Sequence, residues 1–142
     1  MKLEHQVCSL ESAKRLKELG VRQESLWFWQ ENWDSDNPEG KHWWCLSQHG
    51  EGMGKELFSA FTVAELGELL PDFLYIDNEW WQVLCYQERK VWYCEIMDRP
   101  TWQFAKKSVE EQFEAEARAK MLTHLYENKL ISVKNSELHA TH

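Results

Sequence analysis

The stretch WWQVLCYQERKVWYCEIM, Trp80 to Met97, decides how the rest of the chain is read. Both halves alternate in character, and the middle, Glu88, Arg89 and Lys90, is charged. Alternation with a period of two is a strand signal, and a short charged break between two such runs marks an antiparallel hairpin of Trp80 to Gln87 with Val91 to Met97. Successive side chains of a strand point to opposite faces, so a tight register groups Trp81, Val83 and Cys85 with Trp92, Cys94 and Ile96. Trp80, Gln82, Leu84, Tyr86, Tyr93 and Glu95 fall on the other side. The first face is the better core.

Working outward, SLWFWQENW (Ser25 to Trp33) is too crowded with rings to favour helix and reads as a strand. The turn-forming DSDNPEG (Asp34 to Gly40) then returns the chain as KHWWCLSQ, which predicts a second antiparallel hairpin. GEGMG (Gly50 to Gly54) lacks the pattern of a phosphate-binding loop and reads as a flexible connection. A further strand is expected near Phe73 to Ile76.

Helix signals are punctuated clearly. Ser9 caps a helix through Leu19, and Gly20 suits the left-handed residue that closes it. In FTVAELGELLP, Thr62 and Glu65 form a capping box, Phe61 can staple against Leu66, and Pro71 stops the helix. Ser108 and Glu111 repeat the capping-box spacing before the longest helix, whose stripe is Val109, Phe113, Ala117, Met121 and Leu125. The fold class is therefore α+β: a mainly antiparallel sheet of two hairpins, helices packed on one face, and a long C-terminal helix. One domain over residues 1–133 is expected, followed by a flexible tail at 134–142.

Composition narrows the function classes. At 142 residues the chain can bury one core, and 43% hydrophobic with 28% charged residues argues against wholesale disorder. A net charge of −8 disfavours direct nucleic-acid binding and suits either solubility or a basic partner. No apolar run approaches a membrane span and no export signal is visible, so a cytoplasmic location is expected. Cys8, Cys45, Cys85 and Cys94 show no CxxC spacing and read as small apolar residues; a buried thiol pair is favoured over a redox pair for Cys85 and Cys94. Nine Trp, six Phe and four Tyr exceed what a core of this size normally hides, so some rings are expected to meet solvent or a partner.

Three stretches, CSLESAKRLKELGVRQESLWFW, FTVAELGELLP and ARAKMLTHLYENKLI, resemble small phage and prophage proteins. That resemblance brings no catalytic residues with it. It implies a non-enzymatic accessory protein of the host-cell cytoplasm that acts by binding, and inhibiting, a host protein.

Candidate chemistry is thin. His42, Cys45 and His49, with Cys8 or His5, are zinc-type ligands, but His42 and Cys45 point to opposite faces of one strand, so no metal is expected. Glu65 and Glu68 are one helical turn apart, yet Glu65 is a capping acid and Glu68 reads as a solvated position. No catalytic residue and no cofactor are expected. The candidate binding residues are Trp80, Tyr86 and Tyr93, on the side of the hairpin away from the core, because exposed Trp and Tyr dominate binding hot spots. The leading expectation is an acidic, aromatic surface for a host protein. The alternative is a Trp/Tyr cage for a nucleotide-like small molecule, and a second copy of the chain could also cover the face.

Overall fold

The Ser9 hydroxyl accepts a hydrogen bond from the Ser12 N–H (3.1 Å) and so starts α1 (Leu10–Glu18). Gly20, at φ 90°, closes the helix with two reversed bonds: Gly20 N–H to the Lys17 carbonyl and Val21 N–H to the Leu16 carbonyl, each 3.0 Å. The structure, a computed structural model, describes residues 1–33, 40, 42–48, 56–102 and 104–132, with nothing described of the Trp33 side chain. The expected turn at Asp34 to Gly40 lies, but for Gly40, outside the described residues, as do Gly50 to Gly54, His49 and the tail at 134–142.

The described residues form two antiparallel sheets. β1 (Phe28–Trp33) lies between β2 (His42–Ser47) and β3 (Leu57–Ser59). β4 (Phe73–Ile76), β5 (Glu79–Glu88), β6 (Val91–Asp98) and β7 (Ala105–Glu111) make a four-stranded meander. The α+β class, the antiparallel pairing and the closing helix agree with the sequence reading. The pairing divides between two sheets because β1 has a partner on each side and β5 is flanked by β4 and β6.

α2 (Val63–Leu69) carries the full capping box: the Thr62 hydroxyl accepts from Glu65 N–H (3.2 Å), and Glu65 Oε1 accepts from Thr62 N–H (2.9 Å). The last helix, α3 (Glu114–Glu127), begins later than the Ser108/Glu111 spacing predicts. Ser108 and Glu111 belong to β7 instead, opposite Glu95 and Trp92 of β6. β7 is an edge strand, so its ladder with β6 pairs the main-chain groups of alternate residues along the whole segment, whereas a capping box satisfies two donors at one end, and tertiary pairing wins. Val109 is still buried, but as a strand residue opposite Cys94.

The core lies between α3 and the inner face of the four-stranded sheet, with α1 and α2 packed beside α3. Leu16, Phe61, Leu66, Ile96, Met121, Leu122 and Leu125 are its largest fully buried apolar side chains. α1 also rests on the three-stranded sheet, where Lys14 Nζ lies 4.9 Å from the Trp44 ring and Lys17 Nζ lies 5.0 Å from the Phe58 ring. Lysine stems thus cover aromatic surface while their charges stay near water.

Candidate functional site

The meander is built on two tight turns. Asp77 and Asn78 (φ 51° and 66°) join β4 to β5, and Arg89 and Lys90 (φ 51° and 66°) join β5 to β6. Two left-handed residues in succession make the turn whose twist matches that of the flanking strands. The register follows from there: Cys85 faces Cys94, Val83 faces Ile96, and Tyr86 faces Tyr93. Trp81, Cys94 and Ile96 are buried toward α3, as the alternation requires.

The opposite face of the sheet is open. Trp80 is 57% exposed, Tyr75 59%, Phe73 40% and Tyr86 39%, too much area for core rings. Of the three binding residues named from sequence, Trp80 and Tyr86 are exposed and Tyr93 is half-buried, on one continuous face. They are not in one cluster, however. Tyr86 and Tyr93 stack at 5.3 Å with an interplanar angle of 17°, while Trp80, six positions up β5, packs on Tyr75 at 5.0 Å.

Glu95 lies between Tyr93 and Met97 on the same face and accepts the Tyr86 hydroxyl proton in a hydrogen bond. That bond, then burial, then the charges of Glu95 and Glu88 hold the Tyr86 phenol neutral and push its pKa up to about 12. Near Trp80 a groove of about 620 Å³ opens between Phe73, Glu79, Trp80, Asp98, Arg99 and Pro100, and the Arg99 guanidinium sits 4.8 Å from the Phe73 ring. Phe73 and Tyr75 were missed as site residues. The signal for them is the same alternation, since FLYI places both on one face of a short edge strand.

The other candidates separate. His42 Nδ1 lies 2.8 Å from Glu31 Oε1, whereas Cys45 Sγ accepts from Asn32 Nδ2 at 2.8 Å on the other face of the small sheet. Cys8 is fully buried, and burial pushes its thiol up to about 12. Among the described residues no three His, Cys, Asp or Glu side chains converge as metal ligands. Glu65 is occupied twice, as capping acid and as acceptor from the Leu26 N–H (3.0 Å), and Glu68 is exposed. Cys85 and Cys94 require a correction: they are joined as a disulfide, not left as packed thiols. Their Cα atoms are 4.2 Å apart because the register makes them a directly opposed pair on the closer-spaced positions of the ladder.

No described helix is long and apolar enough to cross a membrane. No protein-family model, curated protein or solved structure matches the chain.

Proposed function

We propose that the protein is a non-enzymatic, phage-type accessory protein that binds, and so inhibits, a protein of its host through the open face of the four-stranded sheet. The observation that carries this reading is the exposure of Phe73, Tyr75, Trp80 and Tyr86 on one face while α3 occupies the other. Aromatic side chains give large contact area at low entropic cost, and a water-exposed set on a rigid sheet is already organised for contact. Net charge of −8 then favours a basic partner by accelerating encounter. A nucleotide cage is the weaker reading. Among the described residues lining the groove the cation is Arg99, and it shares the groove with Glu79 and Asp98, a poor setting for phosphates.

The test compares tagged wild type with a Trp80→Ser/Tyr86→Ser variant, each isolated gently from a bacterial host and examined by native mass spectrometry. A polypeptide retained by wild type at a fixed stoichiometry and lost from the variant is the expected result. Equal retention by both, or a bound small molecule on wild type, would overturn the reading.

A further inference from the structure

The open face has two chemically different ends. At the β5–β6 turn, the stacked Tyr86 and Tyr93 are accompanied by three carboxylates on the same face: Glu88 two positions beyond Tyr86, Glu95 bonded to its hydroxyl, and Glu110 opposite Tyr93 on β7. The basic residues beside them, Arg89 and Lys90, are in the turn itself. At the far end the rings of Phe73 and Trp80 line a groove, Tyr75 packs on Trp80, and Arg99 over Phe73 shares the groove with Glu79 and Asp98. One end attracts a positive charge through tyrosine faces and carboxylates. The other already holds a cation, Arg99, together with Glu79 and Asp98, and offers apolar area.

Resting on the docking reading above, we infer that the partner presents an extended basic segment: an Arg or Lys side chain over Tyr86 and Tyr93, and an apolar side chain in the Phe73–Trp80 groove. Trp80 and Tyr86 are six positions apart on one strand, hence about 20 Å. The shortest chain that reaches both ends is itself extended and carries its two anchors about six residues apart. The different chemistry of the ends sets which anchor goes where, since reversing them would seat an apolar group among three carboxylates and leave the Phe73 and Trp80 rings of the groove without an apolar occupant.

The experiment titrates the isotope-labelled protein with a short Gly/Ser peptide carrying one arginine and a leucine about six residues on. Two control peptides carry citrulline in place of arginine, or the same anchors at half the spacing. Amide shifts should concentrate on Trp80, Tyr86, Tyr93 and Glu95, and the arginine peptide should bind about five times more tightly than the citrulline one. That ratio should collapse in a Glu95→Gln/Glu110→Gln variant and at high salt, and the half-spaced peptide should shift one end only. Equal affinity of the arginine and citrulline peptides, with shifts on this face, overturns the charge selection but leaves the face a docking surface. Absence of shifts at this face with every peptide overturns the inference itself. The mass-spectrometric comparison of wild type and variant then still decides docking independently.

Discussion

Replacing Trp80 and Trp81 in turn by alanine separates the two faces of the sheet by stability. Trp81 is 7% exposed and belongs to the core cluster, so Trp81→Ala removes a large buried ring and should cost about 3–5 kcal/mol. Trp80 is 57% exposed, and its ring contact is with Tyr75. Trp80→Ala loses that pair and some strand propensity, about 1 kcal/mol. A chain of 142 residues has an unfolding entropy of about 0.3 kcal/mol/K, so the first change should lower Tm by about 10 °C or more and the second by about 3 °C. Thermal unfolding followed by circular dichroism at several protein concentrations measures both. Losses of equal size would refute the face assignment. A loss at Trp80 that grows with protein concentration would show that a second copy covers the ring, and the face would not be free for a partner.

Lys129 occupies at the end of α3 the place Gly20 has at the end of α1, at φ 57°, with Lys129 N–H bonded to the Tyr126 carbonyl and Leu130 N–H to the Leu125 carbonyl. Lys129→Gly should therefore relieve left-handed strain and, after the added entropy of the unfolded chain, stabilise by about 0.5–1 kcal/mol; chemical denaturation with an unchanged slope checks this, and a destabilised variant would refute it. Stability should also fall at both extremes of pH. Burial and, next, the Lys107 charge lower the pKa of His124 below 6.5, so its contribution is present above 6.5 and is lost as pH falls through the folded value, when the unfolded chain takes up the proton more readily. Cys8, raised by burial from 9.0 to about 12, and Tyr86, raised chiefly by its bond to Glu95 from 10.0 to about 12, contribute fully below the unfolded values and lose that contribution as pH climbs toward 12. Urea midpoints across pH should thus be highest between about pH 7 and 9, with His124→Gln flattening the acid limb and Tyr86→Phe the alkaline one; limbs unchanged in those variants would assign the dependence to other groups.

Several parts of this fold were legible because their causes are local. Ser9, Gly20, the Thr62/Glu65 box and Pro71 each act within one helical turn, and all four mark element ends in the structure. The β5–β6 hairpin was legible for the same reason: a period-two pattern around a short turn has few registers, and one of them buries Trp81, Cys94 and Ile96 together. Placing Trp80, Tyr86 and Tyr93 on the outer side followed from that parity alone. Their division into a tyrosine end and a tryptophan end was not visible, because it depends on Tyr75 and Phe73 arriving from β4 and Glu110 from β7.

By itself, then, the chain of residues determined where α1 and α2 start and stop and which side of the β5–β6 hairpin is apolar, since those choices are settled over a few bonds. Tertiary structure alone decided what each strand pairs with. SVEE, Ser108 to Glu111, is as good a helix start as TVAE, Thr62 to Glu65, until the unpaired edge of β6 offers it a full ladder of hydrogen bonds. Likewise Trp29, Trp43 and Trp44 carry no mark of their burial. Where α1 lands determines it: Trp29 donates its indole N–H to the Cys8 carbonyl just ahead of α1, Trp44 lies under Lys14, and Trp43, one residue earlier on β2, is turned outward at 44% exposure. Local rules act on neighbours in sequence; pairing and coverage act between segments far apart, and their energies exceed any propensity that a few adjacent residues express.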